Sequence, residues 1–419
     1  MIHHAALAPG RQPRTIIRHR ALLLGAFVLL MAAGAVALDD PAVTPPTPGA
    51  QAPVDEVAAP PVDGFKRATP GYVWDFPRDH GSHPDYRTEW WYYTGHLEVE
   101  GLDRPFGFHL TFFRLGIDQF ERRRTGRQAD SAFALEHLFW SHFALSDVRH
   151  QRFYQSEMLN RGFPSVAEAS SEGLDLRNGT WTIREESPNG AHLLESSMRD
   201  EDTGKRWTMS LRLEPQTPPL FHGLDGFSQK GPKPGQASMY YSLPRMRVTG
   251  TLTEEGRAMV VRGQAWMDHE FMTNLLDETQ VGWDWFSIQL DDGSHLMAYH
   301  IRLEDGGVEP LSKGTFLDAD GTVVPLTLLD YTITVLDRWT SPHTGAVYPS
   351  GWRIEVPRLG LNLRLEPRLR DQEMRPRRGA ATTYYEGACT VEGTRDGLPV
   401  AGRGFAELVG YARRFDESL

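Results

Sequence analysis

The chain has 419 residues, of which 11% are aromatic, with 40 glycines, 29 prolines and a formal net charge of −11. That length exceeds one simple core and predicts two or three domains; the turn-forming residues and scarce helical periodicity predict an all-β protein. The acidity argues against nucleic acid or an anionic membrane as partner, and the single Cys389 excludes an internal disulfide or a CxxC site.

Arg11, Arg14, Arg18 and Arg20 precede an uncharged run from Ala21 to Leu38 that carries the small-x-small pattern Ala35-Val36-Ala37. This reads as a signal peptide over residues 1–37, with an uncleaved inner-membrane anchor as the alternative. Its removal takes the net charge to −15. Residues 38–64 follow as a tether: Asp39 to Gly64 holds seven prolines and no basic residue. The fold is expected to begin near Phe65.

The loop RDHGSHPDYR (Arg78 to Arg87) offers Asp79, His80, His83 and Asp85. Two histidines three apart need a further ligand to hold a metal, and nothing in the sequence fixes one. No metal or cofactor is expected. The next segment, TEWWYYTGHL (Thr88 to Leu97), is a strand with rings on both faces, Trp90 and Tyr92 on one and Trp91 and Tyr93 on the other. FGFHLTFFR follows to Arg114, with His109 and Thr111 opposite in parity to Phe108, Leu110 and Phe112. Further strands are read at Phe139 to Val148, Thr180 to Glu186, Trp207 to Pro215, Gly351 to Pro357 and Leu361 to Pro367. GFSQKGPKPG (Gly226 to Gly235) lacks the ending of a phosphate loop and reads as a loop over a barrel mouth, with Lys230 facing a ligand's polar end.

The chain repeats itself. EWWYYTGHL (Glu89 to Leu97) aligns with GWDWFSIQL (Gly282 to Leu290) at an offset of 193, bringing Trp90 onto Trp283 and Tyr92 onto Trp285. YYSLPRMRVTGT (from Tyr240) resembles YYEGACTVEGT (from Tyr384). VRGQAWMDHEF (Val261 to Phe271) aligns with VAGRGFAELVGY at an offset of 139, bringing Asp268 onto Glu407. Two opening and two closing hairpins imply duplicated β domains over residues 65–275 and 276–419. Each would escape exposed edges by curling into a barrel, whose interior is either filled or lines a small ligand. One face of the first aromatic strand should look into its barrel and the other onto loops, a helix or the second barrel; parity does not say which.

The segments DFPRDHGSHPDYRTEWWYYTGHL (from Asp75), GFSQKGPKPGQASMYYSLPRM (from Gly226), WMDHEF (from Trp266), VGWDWFSIQLDDG (from Val281) and YYEGACTVEGTRDG (from Tyr384) resemble the AttH and carotenoid 1,2-hydratase family. The resemblance implies two tandem lipocalin-like β-barrels. It also implies one catalytic position: the hydratases use an Asp in a G-x-A-Y-x-D-like strand, and GQAWMD places Asp268 there. Trp266 stands in place of the Tyr, and SMYYSL (Ser238 to Leu243) lacks the hydratases' His-x-Trp pair.

A carboxyl group in an apolar barrel stays protonated near neutral pH and can act as general acid on a double bond, with aromatic faces stabilising the cation. Asp268 between Trp266 and His269 suits this, and Glu89 is a second acid among rings. Alternatively Asp268 and Glu407 are matching buried acids that each seal their own barrel through backbone or Arg hydrogen bonds. HEFMT at His269 lacks the second His of a zinc protease, and no G-x-S-x-G occurs. The reading is a periplasmic or secreted protein that binds a hydrophobic, lipid or isoprenoid-like molecule through Glu89, Trp90, Trp91, Tyr92, Tyr93, His109, Lys230, Tyr240, Tyr241, Trp283 and Trp285. As an enzyme it would be a carotenoid 1,2-hydratase-like hydro-lyase using Asp268, Trp266 and His269. The alternative is a non-catalytic carrier, or an accessory of an envelope ABC transporter, and a third reading is a scaffold whose packed barrels bind nothing.

Overall fold

The computed structural model describes residues 64–117, 136–274, 276–378 and 382–415. The expected signal peptide, and the tether up to residue 63, lie outside the described residues. Among the described residues the only helices are single 3-10 turns at Arg78–His80 and Pro357–Leu359, and no helix is long and apolar enough to cross a membrane.

The first half supplies β1 (Thr88–Val99), β2 (Phe106–Gly116), β3 (His137–Asp147), β4 (Arg152–Arg161), β5 (Ala167–Ala169), β6 (Asp175–Asn178), β7 (Trp181–Glu185), β8 (His192–Arg199) and β9 (Arg206–Pro215). The short β10 (Leu220–Phe221) and β11 (Phe227–Gln229) then lead into the long β12 (Ala237–Glu254) and β13 (Arg257–Met272). These form one antiparallel sheet in the order β4-β3-β2-β1-β13-β12-β9-β8-β7-β6-β5, with β10 and β11 on β12. The sheet curls until its ends meet. Asn178 of β6, fully buried, closes the seam by donating to Ser141 Oγ on β3 at 2.9 Å and to the Met158 carbonyl on β4 at 3.0 Å.

The second half supplies β14 (Gln280–Leu290), β15 (His295–Leu303), β16 (Lys313–Leu317), β17 (Val323–Thr327) and β18 (Thr332–Val335), then a ribbon of β19 (Arg338–Thr340) and β20 (Val347–Pro349). The set ends with β21 (Trp352–Val356), β22 (Leu361–Pro367), β23 (Glu373–Met374), β24 (Tyr384–Arg395) and β25 (Leu398–Val409). The second sheet runs β17-β16-β15-β14-β25-β24-β22-β21-β18, with β23 on β24.

The repeat read from the sequence is present in the pairing register. Tyr92 sits opposite Asp268 across β1 and β13, and Trp285 sits opposite Glu407 across β14 and β25. Ser242 faces Asp268 from β12, and Glu386 faces Glu407 from β24. Both sets of partners keep the offsets found in the sequence.

Both interiors are crowded with rings. Trp91, Tyr93, Trp181 and Trp207 fill the first sheet, and Phe286, Trp352, Tyr348 and Tyr385 fill the second. The expected aromatic hollow with a carboxyl group inside is corrected: the aromatic cavity that holds Asp268 lies outside both barrels, whereas the opening of about 530 Å³ at an end of the first barrel is lined by residues that include Ser82, Arg114, Phe139 and Ala167. The opposite faces of β1, β2, β12 and β13 instead pack against β14, β15, β24 and β25, through Tyr92, Tyr240, Trp266, Trp285, Tyr299 and Phe405. Where β2 meets β24 a side chain on Gly107 would collide with Ala388, its Cβ falling 2.6 Å from that methyl group. Pro244 breaks the β12 ladder with a register shift. Its carbonyl accepts a hydrogen bond from Gln289 of the second sheet at 2.7 Å.

Candidate functional site

A cavity of about 190 Å³ lies between the two sheets, walled by Trp90, Tyr92, Phe113, Trp140, Trp283 and Trp285. It is apolar for a simple reason: every second residue of the paired strands points here, and at these positions the sequence places rings. Set into that wall are Asp268, Glu270 and Lys230 from the first half and Glu407 from the second.

Asp268 is 4% exposed. Its Oδ1 accepts from Trp266 Nε1 at 2.6 Å and from Ser242 Oγ, and its Oδ2 accepts from the Tyr240 hydroxyl at 2.6 Å. Tyr240 in turn accepts from Trp285 Nε1 at 3.0 Å, so the indole directs the phenol proton at the carboxylate. Burial pushes the Asp268 carboxyl up to about 7 against these donors, with Glu270 adding to the rise. Glu407 has one donor, Trp283 Nε1 at 2.9 Å. Burial pushes it also to about 7, with Asp268 and Glu270 contributing. The two acids line the same cavity, and the Asp268 charge adds to the rise of Glu407.

A third acid stands behind the wall. Glu386 takes the Tyr92 hydroxyl at 2.6 Å, and its other oxygen is buried without a hydrogen-bond partner. Burial, then Glu407, holds it well above the usual carboxylate range. Glu270 is instead neutralised by Lys230, whose Nζ lies 2.9 Å from Oε1 and sits over the rings of Tyr299 and Tyr240 at 4.4 and 4.9 Å. Burial opposes the Lys230 charge, but Glu270 and Tyr299 outweigh it and raise its pKa.

Of the residues singled out from sequence, Trp90, Tyr92, Lys230, Tyr240, Asp268, Trp283 and Trp285 line this cavity. Trp266 supports Asp268 from behind. His109 is one layer away, its ring 5.4 Å from Tyr92 and its Nε2 2.5 Å from Thr111 Oγ1. Trp91, Tyr93 and Tyr241 face the first barrel's interior. Glu89 and His269 share that odd parity and are bonded to each other at 2.9 Å, so neither is placed with Asp268. Burial alone would raise Glu89, but Arg114 at 2.8 Å together with His269 and His83 holds it well below the carboxylate range. It is a fixed anion, unsuited to proton donation. The reading that Asp268 and Glu407 each seal their own barrel is corrected as well: both face the shared cavity, on Trp, Tyr and Ser donors.

Sequence reasoning missed Glu270, Glu386, Phe113, Trp140, His142 and Tyr384. Glu407 was visible as the counterpart of Asp268; that both acids meet at one place required the packing of the halves.

Comparison with known proteins agrees with this architecture. The AttH-like family matches residues 67–411. The crystal structure of an AttH protein from Nitrosomonas europaea is 36% identical and superposes with a TM-score of 0.72, covering 83% of this chain and 100% of its own. A kievitone hydratase of Fusarium solani subsp. phaseoli is 21% identical over 294 residues, 68% of this chain and 79% of that protein. The dehydratase asqC of Emericella nidulans is 23% identical over 223 residues, 51% of this chain and 61% of that protein. With two curled antiparallel sheets and a match spanning both, the chain belongs to the AttH-like family.

Proposed function

We propose that the protein binds the unsaturated end of an apolar molecule between its barrels and adds water to, or removes it from, a C=C bond there. The observation that carries this reading is the pair Asp268 and Glu407, two carboxyl groups with a pKa of about 7 in one aromatic cavity. With one proton between them, the protonated member delivers it to an alkene carbon and leaves a cation at the neighbouring carbon. Water then bonds to that cation, and the ionised member takes the water's proton. Dehydration runs the same steps backwards. The ring faces of Trp90, Trp283 and Trp285 suit a transient cation, and burial of the site strengthens every charge contact in it.

The size of the cavity limits the reacting part. An apolar cavity of about 150 Å³ holds benzene, so about 190 Å³ accepts one ring or one prenyl unit. Hydratase and dehydratase relatives support the same chemistry. Action in the periplasm or outside the cell belongs to this proposal and rests on residues 1–37; the mass of the protein recovered from that compartment tests it.

The test is incubation in H₂¹⁸O with acyclic carotenoids and prenylated aromatics, followed by mass spectrometry of free and retained molecules. The expected product gains one ¹⁸O-labelled water, and Asp268→Asn abolishes it. Retention of unchanged molecules by the native protein would sink the enzyme reading in favour of a carrier.

A further inference from the structure

The first barrel carries a second cluster, at the end capped by the segment 65–87 and apart from the cavity between the sheets. His80 comes from the 3-10 turn, Glu185 from the end of β7 and His192 from the start of β8. Each offers one ligand atom, and the three atoms lie within 4.8 Å of one another. His80 Nε2 and Glu185 Oε1 are 3.7 Å apart, too far for a hydrogen bond. Two ligand atoms at 2.0–2.1 Å from a tetrahedral ion stand about 3.3 Å apart, so a small inward movement would seat a cation. His192 is fully buried, and its Nε2 has no hydrogen-bond partner; neither has Glu185 Oε1. Native proteins rarely leave such atoms unsatisfied.

The surroundings engage Nδ1 of both rings. Glu89 accepts from His269 Nε2 at 2.9 Å, which leaves His269 Nδ1 as an acceptor. Tyr241, 3.2 Å from that Nδ1, can then donate to it and accept from His80 Nδ1 at 2.6 Å. The lone pair of His80 is thereby placed on Nε2, toward the cluster. Tyr93 is hydrogen-bonded to His192 Nδ1 at 2.8 Å, which leaves Nε2 as that ring's unpartnered nitrogen. Hydrogen bonds of this kind on the non-ligating nitrogen are the usual support of metal-bound histidine. The Asn189 side chain, on an exposed turn, hydrogen-bonds the His80 ring, whose Nδ1 is already taken by Tyr241, and its main-chain N–H bonds Glu185, so an ion would displace Asn189 from His80 Nε2.

The neighbouring group His83, Glu89 and His269 serves as contrast. It also meets the distance criterion. There, however, Glu89 is shared by His83 Nδ1 at 2.8 Å, His269 Nε2 at 2.9 Å and Arg114 Nε at 2.8 Å, and His83 Nε2 lies 3.2 Å from Asp79. Every ligand atom is engaged, and a guanidinium already supplies the positive charge.

We propose that His80, Glu185 and His192 form a divalent transition-metal site, of the zinc class by its two imidazoles and one carboxylate, with a fourth position open to water or the Asn189 amide. The experiment uses the full chain without an added tag, stripped with chelator, then titrated with Zn²⁺ by calorimetry and with Co²⁺ by its visible absorption. One ion per chain is expected, with a tetrahedral Co²⁺ spectrum. Glu185→Gln, at a partly exposed strand end, should weaken binding about 100-fold or more, and Tyr93→Phe about 10-fold. His192→Gln should abolish binding; if it fails to fold by near-UV circular dichroism, Glu185→Gln alone decides. Absence of stoichiometric binding by the native chain overturns the proposal. So does an affinity that Glu185→Gln leaves unchanged, which would place the ion elsewhere.

Discussion

The two barrels share a frame but use their interiors differently. At the opening of β1 stands Glu89, and its counterpart at the opening of β14 is Gly282. Arg114 and Arg302 hold matching positions opposite them. In the first barrel the arginine is 1% exposed and binds Glu89 together with the carbonyls of His83 and Tyr86 at 2.9 Å. In the second, with no carboxylate at the opening, Arg302 reaches Asp284 at 3.0 Å, the Val409 carbonyl and the face of Tyr411. The interiors have diverged while the outer faces still present an acid each, Asp268 and Glu407, to one cavity. A duplicated frame thus lets one position act as two partners, provided the copies pack face to face.

The largest expected effect breaks that partnership. Asp268→Asn and Glu407→Gln should each lower hydration turnover by about 10²–10⁴, the range of a general acid or base. Retained ligand, followed by tryptophan fluorescence, separates loss of chemistry from loss of binding. The native rate should peak near pH 7, falling on the acid side as both carboxyls protonate and on the alkaline side as both ionise. In Glu407→Gln only one limb should survive.

Arg114→Met and Arg302→Met sharpen the contrast between the interiors. Stranding the buried Glu89 should cost about 3–5 kcal/mol, whereas the Arg302 exchange should cost less, about 1–3 kcal/mol, because the buried Asp284 keeps the Tyr411 hydroxyl. Denaturant midpoints measure both. The first loss should also depend on pH. Glu89 has a depressed folded pKa, so its contribution is present above the unfolded value and lost as pH falls toward the folded one. The difference between native and Arg114→Met should therefore shrink in acid.

Asp268 has the opposite sign. Its folded pKa is raised from 3.8 to about 7, so its contribution is present at acid pH and lost as pH rises through that window. Asp268→Asn should gain melting temperature over the native protein between those values and level off above them. A constant difference would mean that the carboxyl is not shifted. The smallest effect belongs to Tyr240→Phe, which removes one of three donors from Asp268. It should slow turnover about tenfold and move the pH optimum upward, because the ionised form loses a hydrogen bond.

Much of this was legible in the residues. The aromatic strand at Thr88, its copy at Gly282 and the acids at 268 and 407 were all visible as repeats, because register is carried by side-chain alternation. Parity separated Trp90 and Tyr92 from Trp91 and Tyr93. It could not say which pair faced inward, since that depends on the direction in which the sheet curls. Glu89 and His269 were misplaced for that reason: each adjoins a cavity residue in sequence, and adjacent strand residues point to opposite faces. His80 and His83 show the same limit, three apart in one loop yet delivered to different clusters.

What the sequence determined alone was the principal strands of each copy, though not β4, β8 or β16 to β18, together with their duplication and the acid that each copy keeps at one register position, since alternation and turn chemistry are local properties. The location of the cavity was decided only in three dimensions. Bulky rings crowd both interiors, and the apolar space beside the two acids lies where two outer faces meet imperfectly; no local pattern encodes how one sheet leans on another.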